Sequence, residues 1–425
     1  MKLDGGTGEV LWSLHYASPG AENESTYALA LDSQGNAYIT GRAWVSDRED
    51  EFATFKIDAF TGDILWDETE GGAAHLDDRG LDIDVGPDDN PVAIGLLQNA
   101  DASATLMVVK YDGASGGIAW AVATQELVND QTGDGWVAVD AAGDVIACCK
   151  TWGGSTSFDI ALIKYDGDDG TELWSEVYSI GTAADDPADM VLDDAGNPIV
   201  VGVTAGDYLT VKFGGVDGDP LWTSTYEGPQ GWYDMANCVA VGDQGEILVS
   251  GFSDGTGTSW DVATIGYEPE FGAENWSLRY DGAENLTDEA KDIFMTAQGE
   301  VLVAGYCYSN GSGMDQLVLS YDNDFGTGVE TTPAAPARLA AAPNPFNPST
   351  TFSFELAAAA RVELAVYDLA GRRVATLLDG HGNAGPQRID WSGRGDDGGR
   401  LPSGAYLARL VTERGVSSRK VVLAK

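Results

Sequence analysis

The chain has 425 residues, 43% of them hydrophobic, and a formal net charge of −45 built from 23 basic and 68 acidic side chains. That excess of carboxylate repels nucleic acid and anionic lipid, favours cations, and suits a soluble, salt-exposed or extracellular protein. Three histidines, four cysteines without a CxxC spacing and no apolar run of about 18 residues leave little basis for a histidine relay, a zinc site or a transmembrane helix.

In chain order, the first element is the phrase KLDGGTGEVLW ending at Trp12. It returns as KIDAFTGDILW at Trp66, KYDGASGGIAW at Trp120, KYDGDDGTELW at Trp174, KFGGVDGDPLW at Trp222 and GYEPEFGAENW at Trp276, at steps of 54, 54, 54, 48 and 54. A second phrase lies between the tryptophans: DSQGNAYITG from Asp32, GPDDNPVAIG from Gly86, DAAGDVIACC from Asp140, DDAGNPIVVG from Asp193, GDQGEILVSG from Gly242 and TAQGEVLVAG from Thr296. Period-two alternation runs into each D-x-x-G-N turn and out again, as in a β-hairpin.

Each unit thus reads as four strands, A near 27–31, B 36–42, C 52–57 and D 63–68, and the fold class is all-β with a β-propeller over residues 1–325. Trp12, Trp66, Trp120, Trp174, Trp222 and Trp276 are expected to fill the wedges between blades. The last unit supplies A, B and C up to Tyr321 but no tryptophan strand, whereas Glu9–Leu14 is a D strand with no A or B before it. Pairing the two would close six blades; residues upstream would make it seven. The start also lacks the basic and apolar regions of a signal peptide.

After Gly326 the composition changes. Residues 326–342 are a Pro/Ala-rich linker, and 343–425 alternate strands with AGR, GDDGG and PSG turns, the pattern of a small immunoglobulin-like sandwich. Twelve basic and eight acidic residues fall in 333–425, which leaves 11 and 60 for 1–332, a net of −49.

The phrases D-x-x-G-N-x-Y-x-x-G and K-Y-D-x-x-G-x-x-x-W resemble SBBP-type bacterial surface propeller repeats, which implies an exported and usually non-catalytic module. Pro343–Pro348, Tyr367–Gly371, Trp391, Ser403–Tyr406 and Lys420–Lys425 resemble the type IX secretion C-terminal sorting domain and its relative, the immunoglobulin-like domain of the flagellar hook-cap protein. This resemblance implies that outer-membrane secretion machinery recognises the tail, giving a secreted or outer-cell-surface location. TGEVLW at Trp12 and TGDILW at Trp66 resemble the tryptophan-docking motifs of PQQ-dependent dehydrogenases, whose quinone can rest on an adjacent-cysteine disulfide, and Cys148–Cys149 is an adjacent pair.

In a propeller the D-to-A and B-to-C connections share one end of the sheets. Carboxylates recur there before strand A (Glu24, Asp78, Asp185, Asp234, Asp288; Thr132 departs) and at the start of strand C (Glu51, Asp159, Asp207, Asp261, Asp315; Thr105 departs). Regularity points to a structural task, such as accepting turn N–H groups. Residues that break the repeat are better candidates for function. Asp82, Asp189 and Asp292 on alternate inner strands could hold Ca²⁺, which takes oxygen ligands flexibly. Trp44, Trp152, Trp232, Tyr233 and Trp260 lie outside the tryptophan ladder, where rings beside carboxylates suit stacking on sugars or cationic groups of an extracellular glycan or protein ligand. The expectation is a non-enzymatic binding or scaffolding propeller; the alternative is a surface enzyme, PQQ-type or polysaccharide-degrading.

Overall fold

The protein is described by a computed structural model that covers residues 1–17, 24–44, 50–72, 74, 76–100, 103–124, 134–152, 158–242, 244–282, 284–296, 299–309, 313–322, 339–356, 360–367, 372–396, 398–412 and 415–424. All of its regular elements are strands. The linker at 326–342 falls mostly outside these residues. Contacts divide the chain into Met1–Ser277 with Asp281–Val318, and Leu278–Tyr280 with Leu319–Lys425.

The first unit opens with a short hairpin, β1 (Lys2–Leu3) and β2 (Val10–Trp12). Five antiparallel four-stranded sheets follow: β3 (Ser25–Leu31) to β4 (Ala37–Trp44), β5 (Asp50–Ile57) and β6 (Ile64–Glu70); β7 (Arg79–Val85), β8 (Pro91–Gln98), β9 (Ala104–Tyr111) and β10 (Ile118–Thr124); β11 (Gly135–Val139), β12 (Val145–Trp152), β13 (Phe158–Tyr165) and β14 (Glu172–Tyr178); β15 (Asp185–Leu192), β16 (Pro198–Thr204), β17 (Asp207–Phe213) and β18 (Pro220–Tyr226); β19 (Met235–Val241), β20 (Ile247–Asp254), β21 (Trp260–Tyr267) and β22 (Glu274–Tyr280). A sixth sheet has three strands, β23 (Asp288–Met295), β24 (Glu300–Ser309) and β25 (Gly313–Asp322).

Side-chain chemistry at the turns explains why each unit folds this way. In the A–B hairpin of the first sheet, Asp32 Oδ1 accepts the N–H groups of Gln34 and Asn36 at 3.0 and 2.8 Å. Gly35 meanwhile takes a left-handed φ of 79° that a β-carbon would strain. Asn36 then reaches the C–D turn, where its Oδ1 accepts the Ala59 N–H at 2.9 Å. Asp193 and Asn197 repeat both bonds in the fourth sheet, at 2.9 Å to the Asn197 and Gly215 N–H groups. The D-x-x-G-N phrase is therefore a two-turn fastener.

Successive sheets are joined by apolar cores and by a recurring clamp. The first and second sheets meet through Tyr38, Phe52 and Trp66 against Ile83, Ala93 and Val109, all buried. The strand-D tryptophan and strand-C lysine of one unit donate to a single carbonyl in the next C–D turn. Trp66 and Lys56 reach Gly113 O at 3.1 and 2.7 Å, Trp120 and Lys110 reach Gly167 O at 3.1 and 3.0 Å, and Trp222 and Lys212 reach Pro269 O at 3.1 and 3.0 Å. Trp174 and Lys164 hold Gly215 O in the same way, at 3.4 and 3.1 Å. These tryptophans, of which Trp66, Trp120 and Trp222 are buried, stitch each unit to its successor. In the fifth sheet Gly266 stands where the lysine would be, and a β-carbon there would meet the Trp276 ring at 2.3 Å.

The N-terminal hairpin departs from the sequence expectation. Glu9–Leu14 was expected to complete the last blade, but β2 pairs with β1 in the register Lys2↔Trp12, Leu3↔Val10, the same pairing that Lys56↔Trp66 makes in the first sheet. Strand β1 occupies the edge that β25 would need, so the sixth sheet keeps three strands among the described residues. Lys2 and Trp12 clamp Ala59 O at 2.7 and 3.2 Å, so this hairpin behaves as the C–D half of a unit docked on the first sheet.

The second unit contains an immunoglobulin-like sandwich. One sheet runs β26 (Ala340–Ala342), β27 (Thr350–Leu356), β30 (Gly385–Trp391), and the other β29 (Arg373–Gly382), β28 (Ala360–Tyr367), β31 (Gly404–Thr412), β32 (Gly415–Leu423). Trp391 centres its core, with ring centroids 5.3 Å from Phe346 and 5.9 Å from Tyr406, and its Nε1 donates to Arg394 O at 2.9 Å.

Candidate functional site at the loop end of the sheets

Strand-A carboxylates define one end of the first unit. Asp78 accepts the N–H of Gly72, in the D–A connection, and that of Gln98, at the end of strand B, at 2.5 and 2.6 Å. Asp234 does the same with Gly228 and Asp254, at 2.8 and 2.9 Å. D–A and B–C connections therefore lie side by side, held by carboxylates in the structural task their regular spacing implied. Thr105, which replaces a strand-C carboxylate, instead accepts from Asn99 Nδ2 at 3.0 Å.

All five off-ladder aromatics stand at this end, because each ends a strand B, begins a strand C or sits in a D–A connection. Trp232 is 75% exposed, Trp152 48% and Tyr233 43%. Trp152 meets Phe158 edge-on at 5.0 Å. Tyr233 lies 5.8 Å from Phe252, which stacks on Trp260 at 4.3 Å. Lys150 pairs with Asp186 at 2.9 Å and sits 3.9 Å above the Phe158 ring. The third to fifth sheets thus carry an aromatic surface with an ion pair in it. Trp44, on the first sheet, is half-buried and has none of these ring contacts.

The inner-strand carboxylates are held differently. Asp82 accepts the N–H of Ile83 at 2.8 Å and that of Val137, in the next sheet, at 2.9 Å. Asp189 repeats this with Met190 and Val239, both at 2.8 Å, and Asp292 accepts from Ile293 at 2.8 Å. Asp82 and Asp189 thereby lace neighbouring inner strands together at a β-bulge. Burial pushes Asp82 up to about 6. It pushes Asp189 up to about 7, against two N–H bonds that favour the anion and with the charges of Asp82 and Asp292 adding to the rise. Among the described residues, the three carboxylates whose oxygens all come within 4.8 Å of one another are Asp261, Asp281 and Asp288.

One further feature was not legible as a site in the sequence. Tyr27, Arg79, Leu81, Asp134, Gly135 and Trp136, from the beginnings of three successive inner strands, line a cavity of about 310 Å³. No local motif marks it, since its walls lie some fifty residues apart in the chain. The adjacent cysteines are both free and buried. Cys148 packs in the core between the third and fourth sheets and Cys149 in the core between the second and third, on opposite faces of β12. Burial pushes the Cys149 thiol up to about 12 and Cys148 well above its ordinary value. Two thiols pointing into separate cores do not fit the disulfide platform on which a quinone rests.

Residues 342–415 match the family model of the FlgD Ig-like domain. No curated protein matches the chain. Similar solved structures include BamB from Moraxella catarrhalis, at 11% identity and a TM-score of 0.36, covering 90% of this chain and 96% of that one. PorZ, a surface component of the type-IX secretion system of Porphyromonas gingivalis, is similar at 12% identity and a TM-score of 0.33, with coverage of 97% and 61%. The quinohemoprotein alcohol dehydrogenase of Comamonas testosteroni is similar at 11% identity and a TM-score of 0.44, with coverage of 87% and 66%. The chain thus spans less than two thirds of the length of these last two. Sheet order, repeat register and the tail together make this an all-β protein, a β-propeller followed by an immunoglobulin-like domain.

Proposed function

We propose that this is a secreted or cell-surface propeller, non-enzymatic, that binds an extracellular glycan or protein ligand at the loop end of its third to fifth sheets. The observation that carries the reading is the exposure of Trp152, Trp232 and Tyr233 at the loop end, outside a tryptophan ladder in which Trp66, Trp120 and Trp222 are buried. Exposed rings beside carboxylates are suited to the faces of sugars and to cationic groups. In this reading residues 343–425 are the address, presented to outer-membrane secretion machinery, and the acidic propeller is the cargo. Support comes from the sorting-domain phrases in the tail and from the family match over 342–415. SBBP-type repeats, as surface modules, agree with the same address.

Titrating the full chain with soluble cell-surface polysaccharides, followed by intrinsic fluorescence, tests the binding half. Saturable quenching lost in Trp152→Ala and Trp232→Ala is the expected result, and quinone-dependent dye reduction by the full chain would replace this reading with a dehydrogenase. Display at the surface of a host that carries the secretion system, compared with and without residues 343–425, tests the address. Equal display of the two forms would remove it.

A further inference from the structure

At the junction of the fifth and sixth sheets, where the D–A and B–C connections meet, the strand-A carboxylate differs from Asp78 and Asp234 and, like Asp185, has one oxygen without a partner. Asp78 and Asp234 have each oxygen bonded to an N–H group, one from the D–A connection and one from the end of strand B. Asp288 keeps the first bond, from Gly282 N–H to Oδ2. The strand-B N–H that would fill the other oxygen, that of Tyr308, instead donates to Thr287 O at 2.9 Å. Asp288 Oδ1 is left without a hydrogen-bond partner on a residue that is 1% exposed. A buried carboxylate oxygen with no donor is costly, and such an atom marks an absent ion or water.

Around that carboxyl stand two more. Asp261, at the start of β21, is buried, Asp281 in the D–A connection is exposed, and oxygens of all three come within 4.8 Å of one another. Thr258 Oγ1 donates to Asp261 Oδ2 at 3.2 Å, which fixes the near wall. Three hard oxygen donors with one side open to solvent match the preference of Ca²⁺ for carboxylates at irregular angles, with water completing the shell.

From the donor-free oxygen of Asp288, a buried member of this group, we infer that Asp261, Asp281 and Asp288 form a Ca²⁺ site that pins the fifth sheet to the sixth. The ion takes the place of the strand-B N–H that fills this oxygen in Asp78 and Asp234; Asp185 Oδ1 is likewise without a partner, but among the described residues it is Asp288 that has two further carboxylates beside it.

The test uses the full chain in about 150 mM NaCl, so that the diffuse attraction of a net −45 body is screened. Ca²⁺ is titrated by calorimetry, with Tb³⁺ luminescence as a second probe, on the wild type, Asp281→Asn and Asp288→Asn. Asp281 is exposed, so its variant should keep the EDTA melting temperature of the wild type. One saturable site is expected, with at least a tenfold loss of affinity in both variants and a rise in melting temperature with Ca²⁺ only in the wild type. Titrations of Asp281→Asn that overlay the wild type, or no saturable uptake up to about 10 mM Ca²⁺, beyond the weakest extracellular sites, would overturn the assignment.

Discussion

Leu29 and Ile83 occupy the same register of successive inner strands, 54 residues apart, yet Leu29 is 59% exposed and Ile83 4%. The same holds along the strand, where Tyr27 and Leu31 on β3 are 49% and 58% exposed. Their counterparts Leu81 and Val85 are partly buried against the adjoining cores. Nothing in the local sequence separates the two strands. Ile83 has the first sheet packed on it, whereas the hairpin β1–β2 covers only the outer part of the first sheet, through Trp12 on Ala59 and Tyr16 on Phe55 at 4.6 Å. A repeat supplies equal residues, and burial depends on whether the neighbour is there.

This contrast can be broken most forcefully in the interior. Trp120→Ala should cost about 3–5 kcal/mol by emptying a wedge between the second and third sheets, lowering the midpoint of denaturant unfolding of the first unit. Trp391→Ala should do the same to the sandwich alone, so two separable transitions are expected in a calorimetric scan. Next in size, Ile83→Ala should cost about 2–5 kcal/mol while Leu29→Ala stays within about 0.5 kcal/mol. A large loss at Leu29 would show that its face is covered in solution.

The clamp offers a polar version of the same test. Lys164 bridges Gly215 O and the buried Asp140 carboxylate, at 3.1 and 2.8 Å. Lys164→Met should cost about 3 kcal/mol, because it strands Asp140. Lys2, whose clamp joins only a two-stranded hairpin, should cost far less when replaced by Met.

A smaller effect should follow pH. Asp189, with a folded value of about 7, holds a proton that the unfolded chain releases near 3.8. Its contribution to stability is therefore full at the acid end and is lost as pH rises through about 7. The difference in melting temperature between wild type and Asp189→Asn, measured from pH 4 to 8, should shift in favour of the variant as pH rises; a flat difference would mean that Asp189 is ionised throughout. Smallest of all, Trp232→Ala should leave stability within about 0.5 kcal/mol, because its ring is 75% exposed. A marked loss of stability there would turn a ligand-facing ring into a packing one.

Much of this was legible in the chain. Alternation, the D-x-x-G-N turn and the tryptophan interval gave the strands, their order and the wedge role of Trp66, Trp120 and Trp222, since each follows from side-chain period and turn chemistry within about ten residues. The change of composition after residue 326 and the PSG and GDDGG turns gave the sandwich pattern. The lysine half of the clamp was present in the K-Y-D phrase but unreadable, because its acceptor is a backbone carbonyl in the next unit.

What the sequence by itself determined is the repeating strand pattern, the acidic first unit and the immunoglobulin-like tail, all set by local periodicity and composition. Tertiary structure alone decided that β1 rather than β25 pairs with β2, that Cys148 and Cys149 face separate cores, and that Asp288 loses a donor which Asp78 and Asp234 keep. Each of those outcomes is a competition for one partner that involves groups separated along the chain, as β2 and β25 or Asp288 and Tyr308 are, or set on opposite faces of one strand. Hydrogen bonds and packing act over a few ångströms, so only the fold determines which competitor comes within reach.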